Sequence, residues 1–151
     1  MSREPQSRKT MLGIDPTTPR VHGLLTFLVL FDLVLVIWAG VFPELWFTAF
    51  HGVPYVDPQG FLRRCAANWA AFLLMQTIAW RTWKTDRVWL AVVAGVRLSD
   101  IFTDLTYVFV AHDTTLFAKL TLAPMSIINL LMGLFLLDAY RSREPERPSI
   151  D

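Results

Sequence analysis

Residues 88–111 read VWLAVVAGVRLSDIFTDLTYVFVA, an apolar run that carries Arg97, Asp100 and Asp104 in its middle and outer half. The run is long enough to cross a bilayer, for which about 20 residues suffice. Ionisable groups at that depth are costly unless they face a protein interior and meet partners there. Neighbouring helices must therefore supply complements to these three side chains, and the remaining apolar blocks are read for them.

The charge pattern fixes where those blocks lie. The chain is 54% hydrophobic, yet Lys, Arg, Asp and Glu crowd into the first twenty residues, the 81–87 link and the segment after Asp138. At 151 residues one domain is expected. A net charge of +1 without a basic, aromatic-interleaved patch argues against nucleic-acid binding. The lone cysteine, Cys65, excludes an internal disulfide, a CxxC redox pair and a zinc site, and reads as a buried or interfacial small residue.

Residues 1–23, polar, basic and broken by Pro5, Pro16 and Pro19, read as an irregular arm. Four spans follow, at about 24–42, 61–80, 88–111 and 116–139. The first contains Asp32, which, with its near-full spanning length, favours a retained helix over a cleaved signal peptide. The loop 43–60 is rich in Pro and aromatics, and residues 44–50 could form a short interfacial helix. The second span contains Asn68 and Gln76, with alanine pairs four apart that permit close helix approach. Thr85 or Asp86 is placed to cap the third span. The fourth carries Lys119, Pro124, Ser126 and Asn129. The domain is thus 24–140, with a tail at 141–151.

Arg3, Arg8, Lys9 and Arg20, then Arg81, Lys84 and Arg87, then Arg141, Arg143 and Arg147 all fall on one side of a four-span arrangement. The positive-inside rule makes that side cytoplasmic. The expected fold is all-α, an integral-membrane antiparallel four-helix bundle in the inner (plasma) membrane, with both termini cytoplasmic.

At 100° per residue, Val93, Arg97, Asp100, Asp104 and Tyr107 share one sector of the third span. Counted at about 1.5 Å per residue, Asp32, Arg97 and Asn129 lie at one depth, Asn68 and Asp100 roughly a turn further out, and Asp104 with Lys119 outermost. These seven residues form the expected polar seam. Its three carboxylates face two cations, so one of Asp100 and Asp104 is left as the candidate to hold a proton.

Motifs for hydrolysis or nucleotide-driven transport are missing: no HExxH, GxSxG or phosphate loop occurs. His22, His51 and His112 form no helical pair for haem or metal, and no cofactor is expected. Three functions fit the seam. It is the structural glue of an accessory subunit that contacts other membrane proteins, a pocket for a hydrophobic small molecule, or a proton or ion path. In the pocket reading Arg97 orients a carbonyl or anionic head group, while a protonated Asp100 or Asp104 serves as acid.

The stretch FLRRCAANWAAFLLMQ, followed by a basic link and WLAVVAGVRLSDIFTD, resembles the small bacterial DoxX-like membrane proteins. Shared are an arginine opening span two, a short inner link, and an arginine with a polar neighbour in span three. That resemblance implies a four-helix bundle, with some members linked to quinone or respiratory assemblies. The intramembrane carboxylates also resemble the sterol-isomerase and sigma-2-receptor type of bundle, which surrounds a lipid-like ligand. The acidic residues here depart from that pattern by concentrating on one span beside an arginine.

Overall fold

The computed structural model describes residues 17–142. Most of the proposed arm 1–23 and all but two residues of the tail 141–151 lie outside them. All regular structure among the described residues is helical, without a strand, and comprises α1 (Thr17–Val41), α2 (Pro43–His51), α3 (Phe61–Thr82), α4 (Val88–Val110) and α5 (Leu116–Arg141). Helix α1 begins seven residues before the apolar block does. Pro19 sits in its first turn, where a missing N–H costs no intrahelical bond. The expected 44–50 segment is helical as α2, which starts on Pro43 and is capped after His51 by Gly52 at φ 67°.

The ends of the helices explain the connections. Asp57 accepts from the N–H groups of Phe61 (2.8 Å) and Leu62 (2.9 Å), which are otherwise unpaired at the start of α3. Asp86 accepts from Val88 N–H at 3.2 Å, as the sequence suggested. Thr115 caps α5 by accepting from Ala118 N–H at 3.1 Å.

Packing divides the helices into two pairs, α1 with α3 and α4 with α5. Along α1, Val21, Leu25, Leu28, Asp32 and Ala39 are buried, spaced by threes, fours and sevens, so one stripe faces inward. Close approach within the second pair depends on Gly133. A Cβ there would sit 2.9 Å from Leu98 Cγ and Cδ2.

The pairs meet tightly at the end where α1 begins, here called the base. Val21, Leu25 and Leu28 join Ala79 and Trp83, Leu90, Val93 and Ala94, and Leu136 in one buried cluster drawn from all four long helices. At the opposite end the buried cluster is Ala39, Leu62 and Ala66, with Trp46, Phe47, Tyr55 and Trp69 against it. Neither α4 nor α5 contributes to it. The two pairs are therefore joined below and separated above.

Two helices, α1 and α5, are long and apolar enough to cross a membrane. Helices α3 and α4, with 22 and 23 residues, are nearly as long, but α3 is less apolar and α4 carries its charges, Arg97, Asp100 and Asp104, in mid-helix rather than at its ends. In α4 that charge points inward, whereas Arg63 and Arg64 of α3 are exposed.

Candidate functional site: a polar seam opening into an aromatic cavity

The seam begins at the ceiling of the base cluster. Arg97, only 2% exposed, reaches from α4 to Asp32 of α1, with Nη2 3.1 Å from Oδ2. The same Nη2 lies 3.1 Å from Asp100 Oδ2, one turn along its own helix. Gln76 of α3 donates its Nε2–H to Asp32 Oδ2 at 2.7 Å. Asp32 is thus held from two helices at once, and burial is tolerated because the carboxylate is both paired and hydrogen-bonded. One turn further out, Asn129 of α5 donates to Asp104 Oδ2 at 3.2 Å.

Three expected partnerships are replaced. Asp104 takes Asn129 rather than Lys119, which is exposed on α5. By helical rotation Ala118 lies within about 20° of Asn129, and Lys119 about 100° beyond Ala118. The buried Ala118 therefore occupies the inward position. Asn68 is exposed instead of meeting Asp100, because it sits about 80° round α3 from Gln76. Asn129 in turn engages Asp104, leaving Arg97 to the two aspartates. Gln76, which depth alone does not single out, completes the seam through Asp32. Its signal is the seven-residue spacing Leu62, Trp69, Gln76, Trp83, which places it on the inward stripe of α3.

Above the seam lies a cavity of about 660 Å³, bounded by all five helices and the loop before α3. Asp32, Arg97, Asp100, Asp104 and Asn129 line its floor and α4–α5 wall. Opposite them stands an aromatic wall. Trp46 stacks on Phe50 with centroids 4.4 Å apart and 16° between planes, and Trp69 and Trp38 lie 5.2 and 5.4 Å from Trp46. Cys65 is exposed and also borders this space.

Helix α2 covers the cavity and is fastened on its far side to the α4–α5 turn. Thr115 N–H donates to Phe50 O at 2.9 Å, and its hydroxyl donates to Ala49 O. His51 Nδ1 lies 2.9 Å from Asp113 O, so that nitrogen carries the proton toward the carbonyl. Tyr107 Oη lies 3.2 Å from His51 Nε2 and 3.3 Å from Phe50 O, so its one O–H has an acceptor on α2 in either direction. At the cavity edge, desolvation disfavours the Asp57 carboxylate. The N–H groups of Leu62, Phe61 and Gly60 and the Tyr55 hydroxyl outweigh it and hold the group below the usual aspartate range.

No family model, curated protein or solved structure matches this chain. Function has to be read from the cavity itself. Among the described residues, no group of three or more His, Cys, Asp and Glu side chains is arranged to hold a metal ion.

Three buried polar atoms bordering this region have no protein partner: Gln76 Oε1, Asn129 Oδ1 and Arg97 Nε. Unsatisfied buried groups cost roughly 1–3 kcal/mol each, so a native site that carries several commonly has a function for them. The arrangement therefore offers an apolar, aromatic volume ending in a charged floor with hydrogen-bonding capacity to spare.

Proposed function

We propose that the chain is a four-span inner-membrane protein of DoxX-like layout, with both termini cytoplasmic, that binds a hydrophobic small molecule of lipid, quinone or sterol-like type. The membrane part rests on what α1 and α5 leave uncovered. Of the most apolar window in each, 22% is buried within the protein, and Leu30, Val34 and Leu131 are each more than half exposed. An apolar surface of that extent needs a bilayer against it. The base then faces the cytoplasm, since Arg81, Lys84, Arg87 and Arg141 surround it.

The ligand reading is carried by one observation, the 660 Å³ cavity over the seam. Sites for small molecules occupy about 300–1,000 Å³, with mostly apolar walls and a few convergent polar groups. The seam residues do bond to one another, as a purely structural seam requires, but such a seam does not call for the open volume above them. A proton or ion path would have to cross the base, where Leu90, Val93 and Ala94 are completely buried.

Filling the cavity tests the reading. Leu122 borders it from α5. Protein purified from its own membrane should carry a bound small molecule in near-stoichiometric amount by mass spectrometry. The Leu122→Trp variant, still folded, should lose it. An identical complement of lipids on both proteins would overturn the proposal.

A further inference from the structure

The hydrogen-bonding inventory of the floor is lopsided. Both amide groups and one guanidinium nitrogen already donate within the protein: Arg97 Nη2 to Asp32 and Asp100, Gln76 Nε2 to Asp32, and Asn129 Nδ2 to Asp104. What remains is chiefly acceptor. Gln76 Oε1 and Asn129 Oδ1 are buried without a donor, on side chains that are 0% and 3% exposed, and the three carboxylates add free lone pairs, against the Nε–H and Nη1 amino group of the single guanidinium.

Charge is lopsided in the same direction. Asp32, Asp100 and Asp104 border the cavity with one guanidinium among them, because Lys119 turns outward. The deficit is sharper than the sequence suggested, since the second expected cation is gone. An anionic or carbonyl head group would enter a floor already full of acceptors, and Arg97 is engaged by two carboxylates. The role of Arg97 in orienting an anion therefore gives way to a floor that recruits positive charge.

Asp100 and Asp104 are four apart on α4, which places their Cβ atoms about 5–6 Å from each other. Asn129 donates to Asp104, which puts its free Oδ1 next to that carboxyl, and all three residues line the cavity. A protonated amine carries up to three N–H donors, and Asp100, Asp104 and Asn129 line the same cavity with acceptors to meet them. The aromatic wall of Trp38, Trp46, Trp69 and Phe50 adds ring faces that favour a nearby cation.

We infer that the ligand is a cationic amphiphile, an apolar body ending in a protonated amine that lodges between Asp100, Asp104 and Asn129 Oδ1. This inference rests on the hydrophobic-ligand reading and specifies the head group. Its test uses the full chain in phosphatidylcholine nanodiscs, titrated calorimetrically against protein-free discs with dodecylamine, dodecanol and dodecanoate at neutral pH.

Dodecylamine should bind saturably and at least tenfold more tightly than dodecanol, and dodecanoate should bind most weakly. Asp104→Asn and Asp100→Asn should each erase most of the preference for the amine while leaving dodecanol binding in place. Leu122→Trp should abolish all three. Saturable dodecanol or dodecanoate binding equal to or tighter than the amine overturns the cationic head and leaves the hydrophobic-ligand site standing. Absence of any saturable, Leu122→Trp-sensitive binding removes both. Should the aspartate variants fail to fold, the ranking of the three probes on the unaltered protein decides.

Discussion

The lower and upper halves of this protein use the same helices in opposite ways. At the base, Leu25, Leu28, Leu90, Val93 and Leu136 are at most fully enclosed by one another, with 0% exposure each. A few turns higher, the same faces of the same helices carry Asp32, Leu35, Asp100, Asp104 and Asn129 around open volume. The change occurs at Arg97, where aliphatic residues give way to polar ones. Packed aliphatic side chains draw helices together, whereas bulky charged and aromatic ones hold them apart. A bundle built in this way has one half that supplies stability and another free to hold something else.

The largest effect should come from breaking the boundary itself. Arg97→Ala leaves Asp32 and Asp100 buried beside each other without their shared cation. Removing one partner of a buried pair costs roughly 3–5 kcal/mol, and a loss of that order should appear in reversible unfolding in mixed micelles. A loss below 1 kcal/mol would mean that the seam is wetter than its burial implies.

The next effect sharpens the contrast directly. Leu25→Ala in the base cluster should cost about 2–5 kcal/mol, the range for a large-to-small change at a closely packed position. Leu35→Ala, on the same stripe of α1 but bordering the cavity, should cost under about 1 kcal/mol, because its neighbours are already incomplete. Equal losses at the two positions would show that the upper half is as tightly packed as the lower.

The smallest effect concerns the rim. Asp57 has its carboxyl lowered in the folded protein, so its contribution is present at and above the ordinary aspartate range and fades as pH falls through the lowered value. Amide exchange at Phe61 and Leu62 should therefore accelerate on acidification, after correction for intrinsic rates. Asp57→Asn should show that faster exchange already at neutral pH, while the base cluster is unaffected. Unchanged protection at Phe61 in the variant would remove Asp57 as the cap of α3.

The sequence made some of this plain and hid the rest for identifiable reasons. Arg97, Asp100, Asp104 and Tyr107 were visible as one face because their spacing of threes and fours is a property of α4 alone. The Asp32–Arg97 pairing was visible because both sit near mid-depth and have few alternatives. Depth does not specify rotation, however, so it admits Asn68 and Lys119 to the seam and does not distinguish Gln76. Each lies at a suitable height, but only the inward stripe of its helix decides whether it faces the interior. The cavity was hidden for a further reason. It arises from how far two helix pairs stand apart, and from α2 being anchored to the α4–α5 turn, neither of which is written in the periodicity of any one segment.

The shared guanidinium nitrogen has one more consequence. Asp100 travels with Arg97 on α4, but Asp32 belongs to α1, so the two contacts respond differently to motion. Sliding α4 along α1 by a single turn, about 5.4 Å, would strip Asp32 of its cation and leave Asp100 still matched. A hydrogen bond of 3.1 Å has no reach to follow such a displacement. Arg97 therefore works as a detent that fixes the longitudinal setting of one helix pair against the other. Any widening of the chamber above must come by tilting about that point, with the stroke growing toward α2.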